Sequence, residues 1–492
     1  MASSSSSKPH IIMFPFMAQG HIIPFVALAL HIHRTKSYKI TFINTPLNIK
    51  KLAASFPSDS NSNSPIHLRE IPFNSADHGL PENTENTDVL SYPLIIRLLH
   101  ASTTLEPAFR DLIREIADQE TESPVCIIAD IFFGWTATVA KELGVFHAVF
   151  SGAGGFGLAV YYSVWLSLPH RNSDSDEFRV GGFDKALNFD ITQLPLSISE
   201  ADGTDSWSVF QRKNLPAWVD SNGVLFNTVE EFDHLGLSYF RRKLGRPAWA
   251  IGPVLLSTEN RAKTGKISSE ECTEWLDKKP PNSVLYVSFG SHNTISSSQM
   301  MQLAMGLEAS DKNFIWVIRP PIGFDINSKF RSEQWLPEGF EERIRESKKG
   351  FLVQKWAPQL EILSHKSISA FLSHCGWNSV LESLSNGVPL IGWAMAGEQF
   401  FNVKFLEEEL GVCVELARGK TCEVRYENVV EKIELVMNET EKSMEMRRKA
   451  CEIKEMIENA MRDDDGFKGS SLNSLDEFFQ EVILYGKKDR SL

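Results

Sequence analysis

The chain has 492 residues, more than one hydrophobic core usually organises, so we expect two domains of roughly 200 to 250 residues each. Hydrophobic residues form 42% and charged residues 23% of the sequence, which is typical of globular proteins and excludes a fibrous or disordered chain. Acidic residues outnumber basic ones by 63 to 50, and the net charge of −13 disfavours binding to nucleic acid or to an anionic membrane surface.

The cysteines and the N-terminus bear on the compartment. The six cysteines are scattered and form no C-x-x-C pair, a distribution that fits a reducing environment. The N-terminal serine run is followed by a single lysine and an apolar stretch that Pro15 interrupts, so a secretory signal peptide is disfavoured. We therefore predict a cytoplasmic protein, and we expect it to be a monomer.

In the first half of the chain, short apolar runs alternate with helical patterns. The run "HIIMFPFMAQG" leads into "HIIPFVALALHIHR", "KITFINT" follows, and "VCIIAD" leads into "WTATVAKELGV" and then "FHAVFSG". Continuous apolar strands that alternate with helices predict a parallel sheet covered on both faces, and hence a doubly wound α/β domain. Ligands are expected at the carboxyl ends of such strands.

One stretch, residues 143–170, carries no Asp, Glu, Lys or Arg and is long enough to cross a bilayer. Glycines between Gly152 and Gly157 divide it into a strand-like part, Val145 to Phe150, and a helix-like part, Phe156 to Leu166. This division is typical of a buried strand, turn and helix, so we predict no stable membrane insertion.

The second half of the chain repeats the alternation. The run "SVLYVSFGS" precedes the helical "SSSQMMQLAMGLEAS", and "NFIWVIR", "GFLVQKW", "ISAFLSHCG", the helical "SVLESLSNG" and "VPLIGW" follow. We predict an α/β fold of two facing Rossmann-like domains with a cleft between them. The N-terminal domain spans 1–253, a polar linker spans 254–271, and the C-terminal domain spans 272–465. The last segment, 466–492, has apolar residues at helical spacing and must pack on another element.

The segment from Trp356 to Gln399 contains "FLSHCGWNSVLES", in which an apolar strand ends, a glycine turn follows and a helix opens near Asn378. Helix N-termini expose backbone amides and a partial positive charge, so Gly376 to Ser379 form a candidate cradle for a diphosphate. His374 can donate an imidazole N–H, and Glu382, one helical turn further on, can accept from ribose hydroxyls. The pattern alone also occurs as a purely structural connection in α/β proteins.

The same segment closely resembles the signature box of the plant secondary-product UDP-glycosyltransferases, which are family 1 glycosyltransferases. It begins with "WAPQ", carries "HCGWNS" and Glu382 in the middle, closes with "EQ", and agrees with the box in length. The motifs "GHIIPF", "VCIIADIFFGW", "LYVSFGS" and "FKGSSLNSLDEFF" are also similar to that family. The resemblance spans nearly the whole chain and is sparse between about Pro169 and Val219.

The resemblance implies a role for each matching residue. Trp356 would stack on uracil, while the backbone of Ala357 and the side chain of Gln359 would bind its edge or the ribose. Glu382 would bind the ribose, and Glu398 and Gln399 would bind the sugar hydroxyls; Gln399 is the residue that favours glucose over galactose. The diphosphate would contact His374, Trp377, Asn378 and Ser379. The donor-binding set is Ser291, Trp356, Ala357, Gln359, His374, Gly376, Trp377, Asn378, Ser379, Glu382, Glu398 and Gln399.

The resemblance also implies the fold and the reaction. The fold would be GT-B, with an N-terminal acceptor-binding domain, a C-terminal UDP-sugar-binding domain, and the C-terminal helix packing back on the N-terminal domain. UDP-glucose would be the donor substrate, and direct displacement would give a β-glucoside. No cofactor or metal is expected: the two D-x-D candidates, at Asp174 and Asp463, lie in polar segments, and the His and Cys spacings lack a zinc pattern.

The reaction needs a base that takes the proton of the attacking hydroxyl. His21 follows the first strand at Gln19-Gly20, and an unperturbed imidazole titrates in a useful range, although a histidine at a strand end is often structural. Asp130 ends the strand "VCIIAD", where a carboxylate can orient an imidazole or can cap the following helix. The resemblance implies that His21 and Asp130 form a catalytic dyad; the sequence leaves open whether they touch.

Other classes compete with this interpretation. Residues 152–157 fit the G-x-G-x-x-G fingerprint after a strand, with Asp174 and Asp176 about twenty residues onward, so an NAD(P)-dependent oxidoreductase is one alternative. A non-catalytic UDP-sugar binder is another, although a binder has no need of a base. A hydrolase that uses Cys375 beside His374 is disfavoured, because adjacent strand residues point to opposite faces.

The acceptor is the least constrained part of the function. The stretches expected to line its pocket are aromatic and glycine-rich and lie around Phe16, Phe132 to Phe133, Gly152 to Tyr162, and Leu194 to Phe210. They suit a small lipophilic molecule, such as a flavonoid or other phenolic, or a terpenoid alcohol. Nothing in them selects the hydroxyl.

Overall fold

The structure is a computed structural model that describes residues 8–53, 56, 66–120, 125–256, 269–291, 293–326 and 328–489. The chain forms two compact units. The first consists of Met1–Asn188, Glu200–Ala262 and Ala460–Leu492, and the second of Phe189–Ser199 and Lys263–Asn459. Most of the predicted linker, residues 257–268, lies outside the described residues.

The first unit is built on a parallel sheet of seven strands in the order β3-β2-β1-β4-β5-β8-β9. The strands in the first half of the chain are β1 (His10–Phe14), β2 (Lys39–Asn44), β3 (Ile66–Glu70), β4 (Val125–Asp130), β5 (Phe146–Ser151), β6 (Glu177–Val180), β7 (Leu187–Asp190), β8 (Gly223–Phe226) and β9 (Ala248–Ala250). The alternating residues of β1 belong to two different apolar clusters, Ile11 and Met13 to one, Ile12 and Phe14 to the other. Both faces of the sheet are therefore covered, as the continuous apolar strands predicted.

Helices connect these strands. They are α1 (Gln19–Lys36), α2 (Pro46–Leu52), α3 (Tyr92–Ser102), α4 (Glu106–Gln119), α5 (Trp135–Glu142), α6 (Gly155–Ser167), α7 (Leu196–Ser199), α8 (Ser206–Asn214) and α9 (Glu230–Leu244). The uncharged stretch 143–170 forms β5 and α6, so the predicted strand, turn and helix are confirmed. Across the described part of the chain, no helix has both the length and the apolar character needed to cross a membrane.

The second unit is built on a parallel sheet of six strands in the order β12-β11-β10-β13-β14-β15. The strands are β10 (Val284–Ser288), β11 (Asn313–Ile318), β12 (Gly350–Gln354), β13 (Ile368–Ser373), β14 (Leu390–Ala394) and β15 (Cys413–Arg418). This is the Rossmann strand order, which reverses between β10 and β13 and places the ligand site at their carboxyl ends.

The helices of this unit follow the strands in the predicted alternation. They are α10 (Ser269–Leu276), α11 (Ser297–Ala309), α12 (Ser332–Trp335), α13 (Phe340–Glu346), α14 (Gln359–Ser364), α15 (Trp377–Leu384), α16 (Gln399–Lys404), α17 (Tyr426–Met437) and α18 (Glu441–Ala460). A single π-helical turn, Phe405–Glu409, extends α16. One apolar cluster fills the space between the sheet and these helices and includes Leu285, Trp316 and Trp393.

After α18 the chain returns to the first unit through a short hairpin of β16 (Asp463–Asp464) and β17 (Phe467–Lys468), and ends in α19 (Ser470–Asp489). Leu475, Phe478, Phe479 and Val482 of α19 are buried in the same cluster as the residues of β1 and α1. The ring centroid of Phe478 lies 5.3 Å from that of Trp249 in β9. The apolar stripe of the last helix thus completes the core of the first unit.

Candidate active site

His21 lies on the first turn of α1. Strand β1 ends at Phe14, Ala18 in extended conformation precedes the helix, and the backbone N–H of His21 bonds to the Ala18 carbonyl at 3.0 Å. The expectation that His21 directly follows the strand is therefore wrong, because Gln19-Gly20-His21 opens the helix instead of forming a turn. The structure still brings His21 near the sheet edge, because the connection from β1 to α1 is short.

Asp130 is the last residue of β4, and its carboxylate contacts the imidazole of His21. The Nδ1 atom of His21 lies 2.9 Å from Oδ2 and 3.1 Å from Oδ1 of Asp130. Strands β1 and β4 are parallel neighbours in which Phe14 pairs with Ala129, so their carboxyl ends meet at one edge of the sheet. This pairing explains how two residues far apart in the sequence come together.

The carboxylate of Asp130 is held rigidly. Its Oδ1 also accepts the backbone N–H of Phe132 at 3.0 Å, and its side chain is only 2% exposed. The alternative role as the N-cap of the next helix is not realised, since Gly134 occupies that position before α5. Asp130 is therefore an orienting partner for His21, whose side chain is 25% exposed.

This arrangement suits general-base chemistry. When Nδ1–H donates to Asp130, the neutral imidazole carries its lone pair on Nε2, which is the atom that accepts a proton. A buried carboxylate on Nδ1 also stabilises the imidazolium that forms after proton transfer. The pair can therefore take a proton from a hydroxyl group placed at Nε2.

Aromatic side chains surround His21. Its ring centroid lies 5.6 Å from that of Phe16 and 5.1 Å from that of Phe132. Phe210 of α8 packs on Phe132 with a centroid separation of 6.3 Å. Three of the residues predicted to line the acceptor pocket, Phe16, Phe132 and Phe210, thus lie close to His21. Leu194, which was also predicted to line it, belongs to the second unit.

In the second unit, the predicted diphosphate cradle lies at the junction of β13 and α15. Cys375 adopts a positive φ of 58°, which turns the chain, and Gly376 is the N-cap of α15. The imidazole of His374 lies against two glycines: a Cβ added at Gly376 or Gly290 would lie 2.5 or 2.6 Å from its Nε2. Both glycines are therefore needed for the position of this ring.

The predicted donor residues on the first turn of α15 differ in how far their side chains are exposed. Ser379 is buried at 8% exposure, and Asn378 is half-buried. Trp377 is 3% exposed and packs on Phe405 with a centroid separation of 6.4 Å, so any contact with a diphosphate would come from its backbone N–H. The helix N-terminus supplies the partial positive charge that such an anion requires.

The residues implied to bind the ribose form one hydrogen-bonded group. The Nε2 atom of Gln359 donates to Ser379 Oγ at 2.9 Å and to Glu382 Oε2 at 2.7 Å. Its Oε1 atom accepts from the hydroxyl of Tyr286 at 3.2 Å. Burial raises the pKa of Tyr286, so this hydroxyl stays a donor. Tyr286 was not among the residues predicted from the sequence, although it lies in the motif "LYVSFGS".

The remaining donor residues lie on loops, or at the start of helix α16, at the same edge of the sheet. Trp356 is half-buried and lies two residues after the end of β12, with Ala357 buried beside it, and Ser291 is exposed after β10. Gln399 accepts the backbone N–H groups of Met395 at 3.0 Å and Ala396 at 3.1 Å through its Oε1. Its amide group thereby fixes the loop after β14, and Glu398 is the N-cap of α16.

The dinucleotide alternative fails on the geometry of α6. The glycine-rich segment does open this helix, but the carboxylate of Asp233 from α9 accepts the backbone N–H groups of Gly155 at 2.6 Å and Phe156 at 2.8 Å. Thr228 donates to the same carboxylate at 2.8 Å. The anion-binding end of α6 is therefore filled by the protein itself, and no pyrophosphate can bind there.

Two other expectations concern reactive and metal sites. Cys375 is fully buried, which argues against its use as a nucleophile. Within the described ranges, no group of three His, Cys, Asp or Glu side chains could hold a metal ion.

Comparison with known proteins connects these features to a family. Residues 245–449 match the family model described as UDP-glucoronosyl and UDP-glucosyl transferase. The chain is 52% identical to UDP-glycosyltransferase 92A1 of Arabidopsis thaliana, over 98% of this chain and 99% of that protein. It is 42% identical to crocetin glucosyltransferase 3 of Crocus sativus, over 89% of this chain and 93% of that protein.

A solved structure shares the fold. It is that of Glycyrrhiza uralensis UGT73P12 complexed with glycyrrhetinic acid 3-O-monoglucuronide, which aligns with a TM-score of 0.81 at 27% identity. The alignment covers 99% of this chain and 97% of that one, so the α/β fold with two Rossmann-like domains is confirmed. With its signature box, its fold and these relatives, the chain belongs to the family 1 UDP-glycosyltransferases of plants.

Proposed function

We propose that this enzyme transfers glucose from UDP-glucose to a hydroxyl group of a small lipophilic plant metabolite and yields a β-glucoside. The observation that carries the proposal is the contact between His21 Nδ1 and the buried carboxylate of Asp130. A protein that only bound UDP-sugar would have no use for an oriented base of this kind. The dyad therefore favours catalysis over the alternative of a non-catalytic binder.

The reaction is a single displacement. The acceptor hydroxyl donates its hydrogen to Nε2 of His21 while its oxygen bonds to the anomeric carbon of glucose. The bond from that carbon to the diphosphate breaks in the same step, and UDP leaves with the electron pair. Attack on the face opposite the leaving group inverts an α-linked donor to a β-glucoside.

Groups of the protein stabilise both charges that develop during the reaction, the positive charge on His21 and the negative charge on the diphosphate. The imidazolium of His21 is stabilised by the Asp130 carboxylate. The negative charge that grows on the departing diphosphate would be met by the positive end of the α15 dipole and by His374. We propose that these groups suffice, with no metal ion or other cofactor.

Glucose as the donor sugar rests on Gln399. The amide of Gln399 is held by two backbone N–H groups, so its Nε2 presents N–H donors in a fixed direction. Glu398 precedes it and adds a carboxylate acceptor for sugar hydroxyls. The Crocus sativus relative, a crocetin glucosyltransferase that is 42% identical to this chain, also favours glucose.

An aromatic acceptor fits the surroundings of the base. Phe16 and Phe132 each lie within 5.6 Å of the His21 ring, measured between centroids, and Phe16 is almost fully buried. Flat apolar molecules pack well against such rings. We favour a phenolic such as a flavonoid, and a terpenoid alcohol is the second candidate.

A donor and acceptor screen tests the proposal. Purified enzyme is incubated with UDP-glucose and a panel of flavonoids, other phenolics and terpenoid alcohols, and mass spectrometry detects the added hexose. Proton NMR of the product should show the large anomeric coupling of a β-glucoside. UDP binding without any product across the panel would instead support the non-catalytic binder, and an α-product would contradict single displacement.

A further inference from the structure

Arg319 lies at the sheet edge that carries the donor-site residues, between two of the loops that hold them. It directly follows β11, the strand between β10 and β12. Its Nη1 donates to the carbonyl of Gly290, which follows β10, and its Nη2 donates to the carbonyl of Lys355, which follows β12. One half-buried guanidinium thus bridges the loops on both neighbouring strands.

Each bridged carbonyl belongs to the residue just before a predicted donor contact. Gly290 precedes Ser291, and Lys355 precedes Trp356, the residue implied to stack on uracil. Both bridged residues have positive φ angles, 77° for Gly290 and 71° for Lys355. Glycine adopts this conformation freely, but for lysine it is uncommon and strained.

The strain at Lys355 shapes the turn that aims Trp356. The backbone N–H of Trp356 bonds to the carbonyl of Gln354 at 2.9 Å, which closes a three-residue turn around Lys355. A turn of this size with a positive φ at its centre is rare. Strained backbone persists only where the surroundings hold it, and the carbonyl of the strained residue is the group that Arg319 binds.

The other end of the bridge supports the diphosphate side of the site. Gly290 packs against the imidazole of His374, so a shift of the Gly290 turn would displace that ring. Burial lowers the pKa of Arg319 to about 10, which leaves the guanidinium charged at neutral pH. Its charge therefore does not depend on the bound nucleotide.

We propose that Arg319 is a positioning residue for the nucleotide: its guanidinium fork fixes the strained turn that aims Trp356 and the turn that carries Ser291. This inference rests on the proposed function, because it assigns UDP to that site. Only arginine suits the role, because its donors diverge in a rigid plane and can reach two carbonyls at once. A lysine at the same position keeps the charge, but its three N–H donors share one nitrogen atom and do not form a rigid fork.

The central test is Arg319→Lys, with Arg343→Lys as a matched control on the exposed surface of the same unit. Calorimetric titration with UDP should show roughly tenfold weaker binding for Arg319→Lys, and the KM for UDP-glucose should rise by a similar factor. The kcat at saturating donor and the KM for the acceptor should change by less than about threefold, since the base is untouched. The control should match the wild type.

Two further variants separate positioning from a general loss of structure. In a Trp356→Ala background, Arg319→Lys should weaken UDP binding clearly less than it does in the wild-type background, because only the turn that carries Ser291 still holds a predicted donor contact. Adding Lys355→Gly to Arg319→Lys should restore part of the UDP affinity, because glycine adopts the positive φ without support. Thermal melting of each variant checks that it is folded.

The possible outcomes are distinct. A folded Arg319→Lys enzyme that binds UDP within about twofold of the wild type would overturn the inference, as would full additivity with Trp356→Ala. If the wild-type enzyme itself fails to bind UDP, the proposed function fails first. Arg319→Met should weaken UDP binding at least as much as Arg319→Lys, and a variant that binds better would likewise contradict the role.

Discussion

The contact between His21 and Asp130 is fixed by the individual hydrogen bonds of the Asp130 carboxylate oxygens. Asp130 uses one oxygen for the backbone of Phe132 and both oxygens for Nδ1 of His21, so the carboxylate cannot rotate without losing a hydrogen bond. The ring of His21 is further held between Phe16 and Phe132. These constraints fix which nitrogen faces the acceptor, and they make the two residues act as a unit.

Replacement of the base is the first prediction. His21→Ala should reduce transfer to a weakly acidic alcohol by about 10² to 10⁴, which is the usual contribution of a positioned base. Asp130→Asn should be severe but incomplete, since the imidazole remains while its orientation is lost. The double variant should be scarcely slower than His21→Ala, and steady-state kinetics with UDP-glucose measures all three.

The acceptor and the nucleotide provide controls for this prediction. A more acidic phenol, already partly ionised, should be the least sensitive to His21→Ala. The affinity for UDP should be unchanged by calorimetry, because the predicted donor residues belong to the second unit. Near-normal turnover of alcohols by His21→Ala would show that the base lies elsewhere.

Gln399 supports the second prediction. Its Oε1 accepts two backbone N–H groups, and an imidazole nitrogen has only one lone pair for the same task. Gln399→His should therefore loosen the loop at Met395 and Ala396 and lower kcat/KM for UDP-glucose roughly tenfold. Competing UDP-glucose and UDP-galactose at equal concentration measures the preference.

Gln399→Glu is the comparison variant, because it keeps the accepting oxygen and replaces the amide donor with a second, negatively charged oxygen. If the loop matters most, the Glu variant should retain more activity than the His variant. A wild-type enzyme that prefers UDP-galactose or UDP-glucuronate would contradict the assignment of glucose itself.

Among the elements, the start of α15 combines a helix terminus with close packing. Gly376 has ordinary dihedral angles, φ −61° and ψ 136°, so its backbone does not require glycine. The added methyl of Gly376→Ala would instead meet His374 Nε2 at 2.5 Å and push the ring from its position. We expect UDP affinity to fall about tenfold, with a small change in melting temperature.

The control for this variant is Gly181→Ala, where an added methyl meets no atom within 4 Å. It should leave UDP binding unchanged in the same calorimetric titration. Wild-type affinity in Gly376→Ala would show that the position of His374 is unimportant for the nucleotide.

Strand β5 contains a histidine that links stability to pH. Burial lowers the pKa of His147 to about 3, while its ring nitrogens lie 2.9 Å from Thr136 Oγ1 and 3.0 Å from Ser221 Oγ. A histidine in the unfolded chain has a pKa near 6.5. Between about pH 6.5 and 3, the unfolded chain therefore binds a proton at His147 that the folded chain does not bind. This contribution to stability is complete above pH 6.5 and is lost as the pH falls toward 3.

Between pH 6.5 and 5, His147 alone should therefore reduce the free energy of unfolding by about 2 kcal/mol. Urea denaturation at several pH values measures the effect. His147→Gln should show a flatter dependence, whereas His234→Gln, a change at an exposed position, should keep the wild-type slope. Equal slopes for the wild type and His147→Gln would contradict the linkage.

The strands were more predictable from the sequence than the helix starts and the long-range contacts. The apolar runs predicted the parallel strands, because a strand buried on both faces has no polar residues to hide. The start of α1 was missed, because Ala18 caps it without a side-chain hydrogen bond and Gln19-Gly20 looks like a turn. The contacts of Arg319 and Asp233 were missed because they join elements distant in sequence, which local patterns cannot show.

On the scale of the whole molecule, the first and last described elements, β1 and α19, belong to the same unit. Asp476 of α19 pairs with Lys36 of α1, and Ser471 donates to the carbonyl of Gly252 at 2.6 Å. The last helix thus joins the first helix and the segment that follows β9. Removal of α19 should affect the unit that contains the dyad.

Truncation after Asp465 is the final prediction. It removes four buried side chains, Leu475, Phe478, Phe479 and Val482, each at most 3% exposed, and so uncovers the apolar residues they pack on, such as Trp249. Each such side chain contributes roughly 1.5 to 3 kcal/mol by burial, so their combined loss is comparable to the stability of an average domain. The truncated protein should be insoluble or should unfold at a markedly lower temperature, and transfer activity should be lost with it.

A chain shortened only after Lys487 keeps the whole apolar stripe and should behave like the wild type in the same melting experiment. Phe478→Ala should fall between them, at a cost of about 3 to 5 kcal/mol. A truncation at Asp465 that stays folded and active would show that the core of the first unit closes without α19.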